Sequence, residues 1–216
     1  PHVSAMLVPL RGLIASMDGE ASWRVIYASQ TGFALELAER TAQALRDAGQ
    51  PACAHDINAI DLQVLDGAHC LFIVSTTGEG DPPDHAMGFV KRVMAQPAEL
   101  SRTRYAVLAL GDSEYAQFCA FGRELDEWLH RHGAQPLFDR VDVDNADPAA
   151  LRHWQHHIGV LSGRTDQPDW TTPRYERWTL AARRLLNPGS VGGEAWHIEL
   201  QAPDGTSSTW QAGDIA

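Results

Sequence analysis

Cysteine is scarce in this chain, with three residues, Cys53, Cys70 and Cys119, in 216. Their number is odd and no two stand in CxxC spacing. This argues against a disulfide framework or a thiolate zinc site and points to reduced thiols in a cytoplasmic compartment. Cys53 and Cys70 are expected to be small core residues. Positive charge is also in short supply: 17 Lys and Arg stand against 28 Asp and Glu, a formal net charge of −11 at pH 7. Nucleic acid and anionic membrane call for basic stripes, so neither is an expected partner; a protein with a basic face is. No apolar run is long enough to span a bilayer, since Met6 to Ile14 is short and broken by Pro9, Arg11 and Gly12. There is no internal repeat, no low-complexity tract, no GxSxG, no HExxH and no Ser/His/Asp order of a hydrolase.

What is present is a regular switching of apolar period. Trp23 to Ala28 reads as a buried strand, and Ala34, Leu37, Ala38, Thr41 and Leu45 mark one helix face that Gly49 and Pro51 close. Ala52 to Ile57 predicts a second strand, and Asp61 to Asp66 at most a short helix. Ala68 to Ser75 is almost continuously apolar, as in a sheet covered on both faces. Ala86, Phe89, Val90 and Val93 outline a helix, Arg104 to Leu110 a strand, and Phe121, Leu125, Trp128, Leu129 and His132 another helix. Gln135 to Val143 predicts a fifth strand, and Leu151, Trp154, Ile158 and Leu161 a fifth helix. Five βα units predict an α/β fold, a doubly wound parallel sheet whose ligands bind beyond the carboxyl ends of the strands. After Ser162 to Pro168 the pattern breaks, and Trp178 to Arg183 and Ala195 to Leu200 read as strands of a separate β segment, with turns at Asn187-Pro188-Gly189-Ser190 and Pro203-Asp204-Gly205.

Three polar, glycine-bearing loops fall where such a sheet places a site. Ser29, Gln30, Thr31, Gly32, Phe33 and Ala34 follow the first strand; Ser75, Thr76, Thr77 and Gly78, with Glu79-Gly80-Asp81-Pro82-Pro83 behind them, follow the third. Leu110, Gly111, Asp112, Ser113, Glu114, Tyr115, Ala116, Gln117, Phe118 and Cys119 follow the fourth. The first loop leads straight into a helix, as a phosphate cradle does, yet it has neither the lysine of a Walker loop nor a GxGxxG. Taken singly, each loop is an ordinary cap or turn; in order on consecutive strand ends they form a candidate site. His153, His156 and His157 lie within one helical turn. They read as a solvated helix face rather than a metal site, because no third ligand accompanies them, and no metal is expected.

SQTG, STTGEGDPPDHA and LGDSEYAQFC in this order resemble the FMN-binding loops of the diflavin reductases, among them the sulfite reductase flavoprotein and cytochrome P450 reductase. The resemblance covers roughly Trp23 to Leu161, and the segment from Tyr175 on resembles the opening strands of those enzymes' FAD-binding barrel. It implies a flavodoxin-like five-stranded parallel sheet of order 2-1-3-4-5, followed by an incomplete β segment. The implied organisation is a leader or linker at 1–21, an FMN-binding domain at 22–163, a linker at 164–173 and the start of an FAD-binding barrel at 174–216. FAD and NADPH would belong to a longer polypeptide of which this chain is part.

The implied anion is the FMN 5′-phosphate, held by backbone N–H groups and the hydroxyls of Ser29 and Thr31 at a helix N-terminus. Tyr115 matches the aromatic that stacks on the flavin ring, and Gly78 the glycine whose peptide reorients toward flavin N5. All twenty residues named in the three loops are carried as cofactor-binding. Thr77 departs from the family, where tyrosine or glutamine is usual, and Phe33 replaces a small polar residue. The implied function is relay of single electrons from FAD through FMN to a basic-faced haem or iron–sulfur acceptor, with the reductase domain in the same polypeptide. A stand-alone flavodoxin-type carrier and a cofactor-free interaction module on the same fold are the alternatives. The implied setting is cytoplasmic, either free or as the cytoplasmic part of a membrane-anchored protein.

Overall fold

The computed structural model describes residues 22–165, 170, 178–191 and 193–202. The N-terminal stretch 1–21, most of the 164–173 linker and the turn at Pro203-Asp204-Gly205 lie outside the described residues. The chain divides into two compact units, 1–170 and 171–216.

In the first unit, β1 (Trp23–Ala28), β2 (Ala52–Asp56), β3 (His69–Ser75) and β4 (Arg104–Gly111) pair in parallel. With β5 (Gln135–Pro136) beside β4, the sheet order is β2-β1-β3-β4-β5, the flavodoxin-like order expected. The central strands are apolar on both faces: Cys70, Leu71, Phe72, Ile73 and Val74 of β3 are all fully buried. Alternate residues feed two cores. Phe72, Val74, Val107 and Ala109 face one, closed by Phe89 of α3 (Met87–Phe89) and by Phe121, Leu125 and Leu129 of α4 (Ala120–Arg131). Val25, Leu71, Ile73 and Leu108 face the other, closed by Leu37, Ala38 and Leu45 of α1 (Phe33–Asp47) and by Trp154 and Ile158 of α5 (Pro148–Ser162). Gly122 permits the close approach of α4 to the sheet, since a Cβ there would lie 2.3 Å from that of Ala109.

Local chemistry sets the helix ends. Asp147 caps α5 by accepting from the amides of Ala149 and Ala150, with Pro148 in the first turn, and Gly163 ends it at φ 74°. Asp61 caps the single turn α2 (Leu62–Leu65) through Val64 N. The helix after β3 is composite: a 3₁₀ turn Asp84–Ala86 runs into α3 and then a π turn Val90–Met94.

Two expectations need correction. The fifth strand is not continuous from Gln135 to Val143; it is two short strands, β5 (Gln135–Pro136) and β6 (Val141–Asp144), each paired with β4. Gln135 N and Leu137 N donate to Thr103 O (2.9 Å) and Tyr105 O (2.7 Å), so the absent N–H of Pro136 faces the open edge; the chain leaves β4 after Leu137, with Leu137 and Phe138 packed on the core. Arg140 fixes the detour through Asp126 of α4 (2.8 Å) and Asp142 (2.7 Å). Asp126 also accepts from the Tyr105 hydroxyl at 2.8 Å. Burial, and after it this bond, pushes the phenol upward, while the hydrogen bond to Asp142 raises Arg140. Cys53 is not a core residue. It is exposed on the edge strand β2, whereas Cys70 is buried on β3 and burial pushes its thiol up to about 12.

The second unit contains β7 (Thr179–Leu185) and β8 (Trp196–Gln201), an antiparallel pair with a bulge near Ala181. Trp196, Ile198 and Leu200 alternate along β8 and are exposed, and the Arg183 guanidinium lies 3.9 Å over the Trp196 ring.

Candidate functional site

Strand register brings the three loops to one edge. Ala28 pairs with Val74, Ser75 with Leu110, and Gly111 with Asp144, so Ser29, Thr76 and Asp112 all leave the carboxyl end of the sheet. Cross-links then fasten the loops. Thr76 N donates to Leu110 O (2.9 Å), and Thr76 Oγ1 accepts from Phe121 N at the start of α4 (3.3 Å). Gln30 Oε1 accepts from Asp84 N (3.4 Å), and Ser29 N donates to His85 Nε2 (3.4 Å).

The first loop folds back on itself at the start of α1. Ser29 Oγ accepts from Gly32 N (2.9 Å) and Ala34 N (3.2 Å), folding the loop over its own first residue. Gly32 caps α1 at φ 91°, a conformation costly for other residues. Among the described residues, the amides of Gln30, Thr31 and Phe33 have no hydrogen-bond partner. Gln30 and Thr31 are exposed, so these donors and the Thr31 hydroxyl remain available at the N-terminus of a four-turn helix. Phe33 is half-buried against the core under α1, so in place of a polar contact it supplies packing.

The second loop is a tight hairpin. Thr77 and Asp81 form an isolated antiparallel bridge, with Thr77 O accepting from Gly80 N (3.1 Å) and Asp81 N (2.9 Å). Thr77 Oγ1 donates to Asp81 O (3.1 Å), so the threonine side chain braces the turn. Gly78 (φ 49°) and Gly80 (φ 112°) form its tip, and a Cβ at Gly80 would lie 2.8 Å from Gln117 Cβ in the third loop.

The third loop is anchored from below. Asp144, at the end of β6, accepts from Ser113 N (2.9 Å) and from the Ser113 hydroxyl. These bonds hold its carboxyl below the usual aspartate range. Asp112 Oδ1 accepts from Glu114 N (2.9 Å), and Asp112 O from Tyr115 N (3.1 Å). Cys119 closes the loop at φ 53°; burial pushes its thiol up to about 12, and Sγ lies 3.2 Å from Ala109 O. Gly111 is needed beneath it, because a Cβ there would meet Cys119 N at 2.8 Å and Sγ at 2.9 Å. Tyr115 is left 56% exposed on the rim, a large aromatic face with no core to fill.

Of the twenty candidates, the rim gathers all three groups, with Cys119, Phe118 and Ala34 turned inward as support and Gln30, Thr31, Gly78, Glu114 and Tyr115 outward. Sequence reasoning missed Asp144 and His85. Neither has a local signature, for each reaches its loop only through the sheet order. Elsewhere, His153 and His157 are 3.1 Å apart at Nε2, with the His157 ring stacked on Phe138 at 4.1 Å. No group of three or more metal-ligating side chains occurs among the described residues.

A family model described as flavodoxin matches residues 25–154. This chain belongs to the flavodoxin family. Membership implies FMN, and the open amides, the Thr31 hydroxyl and the exposed Tyr115 fit a phosphate and an aromatic ring. The chain is 30% identical to the sulfite reductase [NADPH] flavoprotein alpha-component of Vibrio cholerae over 99% of its own length and 37% of that protein. To the Bacillus subtilis protein of the same name it is 32% identical over 88% and 34%. The chain thus spans little more than a third of the curated relatives it matches. Among solved structures, the flavodoxin of Streptococcus pneumoniae TIGR4 superposes with a TM-score of 0.59 at 26% identity, covering 66% of this chain and 99% of that one. Among the described residues no helix is long and apolar enough to cross a membrane.

Proposed function

We propose that this chain is the FMN-binding electron-transfer module of an NADPH-dependent diflavin reductase of the sulfite reductase flavoprotein type. FMN, when bound, would supply one-electron redox chemistry between an FAD-bearing domain and a haem or iron–sulfur acceptor. The protein supplies binding, orientation and electrostatics. The amides of Gln30, Thr31 and Phe33, with the Ser29 and Thr31 hydroxyls, hold the 5′-phosphate. Ser29 Oγ is already an acceptor within the loop, so its contribution to phosphate is its own hydrogen. Tyr115 covers one face of the ring, and the positive φ of Gly78 leaves its peptide free to reorient toward N5. Glu79, Asp81, Asp84 and Glu114 give the rim a negative surface suited to a basic-faced acceptor.

The likeness to the sulfite reductase flavoproteins along 99% of the chain carries this reading, because it runs beyond the flavodoxin unit into the β7–β8 segment. The exposed apolar alternation of β8 supports reading that segment as the beginning of an FAD-binding barrel. A stand-alone carrier is the second reading, favoured by the near-complete coverage of the S. pneumoniae flavodoxin. The test is to load the chain with FMN and mix it with NADPH, with and without a diflavin reductase's FAD/NADPH domain. Reduction only when that domain is present supports the proposal; steady NADPH oxidation by the loaded chain alone overturns it.

A further inference from the structure

The phosphate loop carries no cation of its own, but the structure sets a histidine beside it. His85, in the 3₁₀ turn after the second loop, lies with Nε2 3.4 Å from Ser29 N and 3.8 Å from Asp56 Oδ2. Both contacts use the same ring nitrogen and demand opposite states of it. To accept from the Ser29 amide, Nε2 must carry no proton; to pair with Asp56, it must carry one. The amide contact is long for a hydrogen bond and easily exchanged. Asp56, at the end of β2, is the only ion-pair partner of the ring among the described residues. The groups from the first loop are uncharged, and on its own turn the neighbouring charge is Asp84.

We infer that His85 is a phosphate-sensing residue of the FMN site, one that takes up a proton as the phosphate binds. This rests on the reading of the first loop as the phosphate cradle. Neutral His85 occupies the Ser29 amide. A phosphate dianion entering beside that amide favours the imidazolium. A proton taken from solvent onto Nε2 ends its role as acceptor, releases the Ser29 N–H to the incoming anion and gives the ring an N–H that faces the anion, with Asp56 beside it to support the charge. Histidine suits this exchange because it changes charge between about pH 5 and 8. The cradle thereby gains a cation when the ligand bears phosphate and none when it does not, so His85 raises selectivity for FMN over riboflavin. The site does not carry a permanent positive charge against the flavin.

The test is calorimetric titration of the full chain with FMN and with riboflavin, in buffers of different ionisation enthalpy, for wild type, His85→Gln and His85→Lys. Free FMN is mostly dianionic at pH 7, its second phosphate ionisation lying near 6, so the ligand alone gives at most slight proton release. Wild type should take up protons with FMN, with an affinity about fivefold greater at pH 6.5 than at pH 8.5, the change expected when a neutral contact becomes charge-assisted. His85→Gln should lose the uptake and that pH dependence. His85→Lys should bind FMN at pH 8.5 as wild type does at pH 6.5, without uptake. Riboflavin should bind all three alike and without proton transfer, which checks the fold. Equal proton counts for wild type and His85→Gln with FMN overturn the role of His85 while leaving the cradle standing. Failure of wild type to bind FMN at all removes the cradle itself.

Discussion

Thr31 and Gly111 are placed oppositely at the same rim, one open to solvent and the other packed beneath the third loop. Thr31 is exposed, and its hydroxyl and amide have no partner among the described residues. Thr31→Ala is therefore expected to weaken FMN binding by roughly 1.5–3 kcal/mol, the range for a hydrogen bond to a charged group, and to leave riboflavin binding unchanged. Paired titrations decide it, and equal losses for the two flavins would refute the phosphate assignment. Gly111 lies against Cys119. A methyl at this position would press on the backbone nitrogen of Cys119, which has no freedom to retreat. Gly111→Ala should cost about 1–3 kcal/mol in urea unfolding and lower flavin occupancy with it. The places of SQTG and of Tyr115 on the rim were legible from the sequence, because each directly follows a strand end. Those of Asp144 and His85 were not. Asp144 lies 31 residues from Ser113, and His85 56 from Ser29. Only the strand order joins them.

At the level of elements, the fifth strand shows how a local irregularity serves the site. Apolar alternation from Gln135 to Val143 suggests one strand, but the chain leaves the ladder after Leu137 and Arg140 draws it to Asp126 and Asp142. The detour places Val141–Asp144 against β4, so that Asp144 arrives under the third loop. Arg140→Met leaves two partly buried carboxylates without their cation and is expected to destabilise the fold by about 2 kcal/mol at neutral pH. Thermal or urea unfolding measures this, and an unchanged midpoint would mean the network is merely superficial. The Asp144–Ser113 contact has its own pH signature. Because the folded carboxyl is held below its ordinary value, its stabilisation is present at neutral pH and is lost as pH falls through that lowered folded value. Ser113→Ala should therefore be less stable than wild type at pH 7, with the gap closing toward strong acid. A gap constant across that range would show that Asp144 plays no part.

For the whole molecule, the sheet order was foreseen from the resemblance to the diflavin reductases, and the one-sided gathering of loops from the rule that ligands of a doubly wound parallel sheet bind beyond the carboxyl ends of its strands. The composite helix after β3 was less legible, since the Ala86, Phe89, Val90, Val93 spacing suits a regular helix and a π turn alike. The placement of Cys53 was missed because a small apolar residue in a short strand reads as core whether the strand is central or at the edge. What unites the observations is a loop of open neutral donors at a helix start, an exposed aromatic and an acidic rim, and together they fit a flavin mononucleotide. The most direct measurement is to saturate the purified chain with a mixture of FMN and FAD, remove the excess, release the bound flavin by heat and separate it by chromatography. The account predicts about one FMN per chain and little FAD, because the cradle is sized for a monophosphate and lacks the glycines of a dinucleotide loop. Stoichiometric FAD, or protein that holds no flavin at all, would contradict it.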